Sequence, residues 1–161
     1  MIESIQAFLK YSQGIRRRTL AAIEALPPDK IDWAPAEGEF TCGEIIHHIG
    51  SIELMNSRVF AGQSFGYPGH ESALGTSKAA AIEYLNACQQ QATAILQALP
   101  DGALLEKQAD LTGRPTSAWR FLMASIEHEV HHRSQLDTYL KLMETEPPQL
   151  FGVFMEDLPK N

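Results

Sequence analysis

Histidines supply the chemistry that stands out in this chain. His128 and His132 lie in the run E-H-E-V-H-H, residues 127–132. Four residues on a helix bring side chains to one face about one turn apart, so both imidazoles can reach one metal ion. Two ligands hold a metal poorly, and a third is expected from another helix. His47 and His48 are the candidates. Ile45, Ile49, Ile52 and Met55 mark the inner side of their segment. His48 shares that side, whereas His47 is turned about 100° away. The reading therefore favours His48, with His47 as the alternative ligand. His131 sits at the edge of the His128–His132 stripe. Gln135 continues that stripe and Glu129 adjoins it, so either could orient a ligand ring. Glu127 and Glu53 are further acid–base candidates. Three neutral imidazoles suit a divalent transition metal, zinc or nickel foremost, then iron, cobalt or manganese. A position left open on the metal would activate water or hold a thiolate. The competing reading makes the histidines core residues of a plain helical dimer. His128, Glu129 and His132 also satisfy H-E-x-x-H, the zinc-protease tetrapeptide. That pattern is short enough to arise by chance, and a small bundle has no obvious peptide cleft.

Helices must position these rings, and four segments have the period for it. The first runs from about Ile2 to Leu26, with Ile5, Phe8, Leu9, Ile15, Leu20, Ile23 and Leu26 as its apolar set, and stops at Pro27-Pro28. Arg16, Arg17 and Arg18 read as a solvated face, with a salt bridge or carboxylate clamp as the alternative. The second segment opens on a capping-box pattern, Thr41-Cys-Gly-Glu44, and continues to about Val59. A loop from Gly62 to Thr76 contains His70. The third begins at a Thr76 or Ser77 cap and runs to Leu99. The fourth spans about Thr116 to Met143 and ends before Pro147-Pro148. An extended piece near Lys107–Leu111 is the one strand candidate. Trp33, Phe40, Trp119 and Phe121 are expected as core or loop anchors, with a pocket role as the alternative. The C-terminal tail is expected to fold back on the helices.

The chain has 161 residues, a size that suits one domain spanning 1–161 with a real core. Net charge is −7, which argues against nucleic-acid or anionic-membrane partners. Cys42 and Cys88 read as reduced core thiols, with a single disulfide as the alternative. The N-terminus lacks signal-peptide features and no run is long enough to span a bilayer, so a cytoplasmic location is expected.

Three stretches carry a family resemblance. W-A-P-A-E-G-E-F-T-C-G-E-I-I-H-H-I, residues 33–49, resembles the approach to the second helix in DinB-like proteins. E-H-E-V-H-H-R-S-Q-L, residues 127–136, resembles their last-helix motif, and P-P-Q-L-F-G their ending. The resemblance implies an all-α, antiparallel four-helix bundle in up-down-down-up order, with long inter-helix loops. It also implies frequent homodimers and a metal site at His48, His128 and His132. His131 and Arg133 match a common His-Arg pair, and Ser134 replaces a usual glycine. Some relatives transfer thiols, which makes a metal-dependent thiol S-transferase acting with a low-molecular-weight thiol and a small electrophile the leading expectation. A non-catalytic metal-binding stress-response module is the alternative.

Overall fold

In a computed structural model the described residues are 3–67, 77–110, 112–153 and 155–159. Four helices dominate them: α1 (Ile5–Ala25), α2 (Cys42–Phe60), α3 (Lys78–Gln97) and α4 (Trp119–Leu142). Strands β1 (Lys107–Ala109) and β2 (Pro115–Ser117) form an antiparallel hairpin before α4. α1 packs on α4 and α3, and α2 packs on α3 and α4, giving the four-helix bundle its ring order. No helix among the described residues is long and apolar enough to cross a membrane.

Local chemistry sets where the helices begin. The Ser4 hydroxyl accepts from Ala7 N–H, so α1 begins at Ile5 and not at Ile2. Thr41 and Glu44 make the reciprocal capping box, at 3.1 and 2.8 Å. The next donors of α2 are also satisfied: Cys42 N–H reaches Trp33 O at 3.0 Å and Gly43 N–H reaches Ile31 O at 2.8 Å. A Cβ at residue 43 would sit 3.3 Å from that Ile31 carbonyl, so glycine permits the approach. Ser77 caps α3.

The start of α4 departs from the periodicity. Thr116 lies in β2, paired with Gln108, and the helix begins only at Trp119. Pro115 lacks an N–H and Thr116 is β-branched, which suits a short strand better than a first helical turn. The hairpin turn is held by Asp110, whose carboxylate accepts from Thr112 N–H, Thr112 O–H and Arg114 N–H. Those bonds, the Thr112 hydroxyl foremost, hold the Asp110 pKa down at about 2. Gly113 takes φ +80, a conformation open to glycine, and closes the turn. Lys107–Ala109 of the anticipated extended piece is a strand; Leu111 lies outside the described residues, as does His70.

Two apolar clusters fill the bundle. One gathers Ile23, Leu26, Ile45, Ile46, Ile49, Leu85, Leu136 and Leu140. The other gathers Ile5, Phe8, Ile15, Phe60, Leu96, Leu122 and Ile126. Between them on three helices lies a charged layer: Arg16 on α1, Glu53 on α2 and Glu129 on α4. Arg16 is only 2% exposed, so the arginine run is not a solvated face throughout; of the three only Arg17 is exposed. Arg18 stacks on Phe151, at 5.1 Å, which joins the C-terminal tail to α1, though Phe151 itself stays exposed. Cys42 and Cys88 are buried free thiols.

Three outcomes are expected. Thr41→Ala removes half of the capping box and costs about 1 kcal/mol in urea unfolding. Leu136→Ala, at a position with no exposure, costs about 2–5 kcal/mol in the same assay. Burial pushes the Cys42 thiol up to about 12, so a thiol reagent at pH 8 leaves it unlabelled until denaturant is added.

Candidate metal centre

α2 and α4 bring three imidazoles together where they pack. The ring centroids of His48, His128 and His132 lie 4.4–4.7 Å apart. One ring nitrogen from each lies within 4.8 Å of the other two, an arrangement able to hold a metal ion. The Nε2 atoms of His48 and His128 are 2.9 Å apart. An ion about 2.0–2.1 Å from each nitrogen needs separations of roughly 3–4 Å, so small side-chain rotations suffice.

Two of the three rings have their outer nitrogen engaged. His48 Nδ1 lies 2.6 Å from the Tyr67 hydroxyl, and His132 Nδ1 meets Gln135 Oε1. An acceptor such as Gln135 Oε1 fixes the proton on Nδ1 of His132 and leaves Nε2 as a lone-pair donor. The Phe40 ring lies 5.7 Å from that of His48 and walls one side.

Burial foremost keeps two of the rings, His128 and His132, in the form a metal requires. The pKa of His128 falls to about 3, through burial first and then through His132, His48 and His131. Burial also lowers His132, with the Gln135 hydrogen bond opposing. Imidazoles held neutral at pH 7 offer lone pairs without first losing a proton.

The remaining histidines and acids are placed elsewhere. His47 is the more buried of the α2 pair, at 1% exposure, and stacks on Tyr84 of α3 at 4.3 Å. His48 is only half-buried at the rim, so shared burial was the wrong reason to prefer it. What distinguishes it is that it faces α4. His131 is exposed, with its ring 4.9 Å from that of His132. Glu129 turns away to Arg16, which donates to both of its oxygens at 2.9 and 3.0 Å. Glu53 is bonded to the same guanidinium at 2.8 Å. Neither carboxylate is poised as a base beside the histidines, and the H-E-x-x-H protease reading loses its glutamate. Trp33 packs edge-on against Tyr139, an anchoring role. Trp119 and Phe121 line an open groove of about 730 Å³ along α4, with Arg114, Arg120, Met123 and Glu127.

Tyr67 escaped the sequence, whereas Arg16 meets the alternative reading of its run, a carboxylate clamp. Tyr67 sits in a loop without periodicity, and nothing in the pattern marks it. Arg16 did leave a signal: it lies four after Ser12 and three before Thr19, both buried, on the inner stripe of α1.

A four-helix bundle with three histidines converging at its rim is the class that fold and site define. The chain matches the DinB family over residues 1–160 and belongs to that family. A DinB-like protein from Bacillus cereus ATCC 10987 superposes with a TM-score of 0.74 at 24% identity, covering 96% of this chain and 100% of that one. The solved structure of YjoA, a DinB-like protein from Bacillus subtilis, gives 0.68 at 20% identity, over 89% and 96% of the two chains. These likenesses show the fold. In sequence, YjoA, described as an uncharacterized protein, is 26% identical over 132 residues, 80% of this chain and 83% of its own.

The depressed His128 pKa predicts how the metal-free protein responds to acid. An unfolded imidazole takes its proton near 6.5, the folded one near 3. Below 6.5 the unfolded state binds more protons, so this contribution to stability is full above 6.5 and is lost as pH falls toward 3. The Tm of metal-free protein should fall across that window, and less steeply in His128→Gln.

Proposed function

We propose that His48, His128 and His132 hold one divalent transition metal, zinc or nickel foremost, and that the protein is a metal-dependent thiol S-transferase. The observation that carries the reading is the approach of three ring nitrogens to within 4.8 Å, in a setting that keeps His128 and His132 neutral. A borderline divalent ion fits three neutral nitrogen donors better than calcium or magnesium, which favour oxygen. When bound, such an ion supplies a Lewis-acid position at which a thiol loses its proton near neutral pH. Overall, a thiol sulfur forms a bond to an electrophilic carbon, the carbon's leaving group departs with its electron pair, and the thiol proton passes to a base or to solvent.

The chain's own groups support the remaining tasks. Tyr67 and Gln135 hold the ligand rings in orientation. The groove along α4, lined by Trp119, Phe121 and Met123 but by none of the three histidines, is of small-molecule size. Exposed Glu127 lines that groove but leaves α4 about 100° from His128, so solvent is the better acceptor of the released proton. A homodimer is the proposed assembly, to be checked by sedimentation.

One observation favours the non-catalytic alternative. Glu53 and Glu129 are both bound to Arg16, so neither of these acids is free to act as a base at the site.

Metal analysis of untagged protein should find about one ion per chain, lost in His48→Ala and His128→Ala. Absence of metal from the wild type, with unchanged stability in both variants, would sink the site. Bacillithiol, mycothiol and glutathione should then be tried against model electrophiles. Turnover that vanishes on chelation supports the transferase, and metal without turnover for any thiol leaves the binding module.

A further inference from the structure

We propose that Arg16 is a positioning residue for the three-histidine centre, holding α2 and α4 at the rotation that makes His48 face His128 and His132. This rests on the metal-binding reading above. The guanidinium bonds to α2 through Glu53 at 2.8 Å and to α4 through both oxygens of Glu129 at 2.9 and 3.0 Å. Its third nitrogen lies 3.5 Å from the Leu85 carbonyl of α3. One side chain on α1 thus reaches the other three helices.

The geometry of a helix turns those bonds into control of the site. Glu129 stands about 100° from His128 around α4, and about 60° from His132. Fixing Glu129 against α1 therefore fixes the direction in which both imidazoles leave the helix. Glu53 fixes α2 in the same way, about 140° round from His48. The flanking apolar clusters do not supply this directionality, because apolar burial depends on area and tolerates small rolls and slips. A buried ion pair does not tolerate them: a rotation that parts Arg16 from Glu129 leaves charge unpaired at side chains only 2% and 3% exposed. The bidentate fork with Glu129 sharpens the constraint further, since it sets both angle and distance. Lysine carries the same charge but presents a single ammonium, which cannot make the planar two-nitrogen fork that Arg16 makes with Glu129.

The test uses the full chain and Co(II), read by affinity and by its visible d–d absorption. Arg16→Lys is compared with Leu96→Ala, a cavity variant in the apolar cluster that contains no histidine. All measurements are made at a temperature where circular dichroism shows each variant folded. The expected result is that Arg16→Lys binds Co(II) about tenfold to a hundredfold more weakly with an altered d–d band. Leu96→Ala, despite a lowered Tm, keeps wild-type affinity and spectrum. If Arg16→Lys does not fold, Glu53→Gln, which leaves the Arg16–Glu129 fork in place, is read by the same two signals, with at least a severalfold loss expected. Wild-type affinity and spectrum in the folded Arg16 or Glu53 variant overturns the proposal, as does an equal loss in Leu96→Ala. Wild-type protein that binds no Co(II) overturns the metal reading and this inference together, whereas wild-type binding with an unmoved variant overturns this inference alone.

Discussion

The Arg16 guanidinium sits at 2% exposure between two carboxylates and a backbone carbonyl, and each partner comes from a different helix. Burial works against a charge in this position, yet Glu53 and Glu129 outweigh it and raise the Arg16 pKa above its ordinary value. Glu53 feels the same competition: burial raises its pKa, Arg16 opposes, and Glu129 adds to the rise. Losing one member of such a layer costs about 3–5 kcal/mol, because it strands the others in the interior. The layer also divides the core, with one apolar cluster on either side of it along the helices.

Helix geometry then places the histidines relative to that layer. His128 and Glu129 are neighbours in sequence but leave α4 in directions about 100° apart. One serves the metal-competent rim and the other the charged interior. The same division holds on α2, where His47 turns in to stack on Tyr84 while His48 turns toward α4. Adjacent residues of like chemistry thus take different roles, decided by which helix each one faces. The rim gains precision from groups outside the bundle's apolar contacts: the Tyr67 hydroxyl on His48 and the Gln135 amide on His132.

Much of the architecture was legible in the chain. The four helical segments, the Thr41–Glu44 capping box and the Pro27-Pro28 stop are local features, readable from residue type and period. The fourth helix was drawn too early because it was begun directly after Pro115; pairing of Gln108 with Thr116 across the hairpin keeps those residues in a strand. Arg16 was read with Arg17 and Arg18 as a surface run because three charges in a row average out to a polar turn. Its own phase on the inner stripe, between Ser12 and Thr19, pointed inward. Glu129 was read beside the histidines because it adjoins them in sequence, although adjacency on a helix means divergence in space.

By itself, the sequence determined that His128 and His132 share a face, since a four-residue spacing on a helix admits no other result. It also pointed to the His47-His48 pair as the candidate source of a third imidazole. Tertiary structure decided which of the two it was. Burial ranks His47 first, and only the packing of α2 against α4 turns His48 toward the other two rings. That packing depends on the relative rotation of two helices distant in sequence. The rotation is set by interactions such as Arg16 with Glu129, 113 residues apart. Local periodicity fixes directions within one helix, and long-range pairing fixes one helix against another.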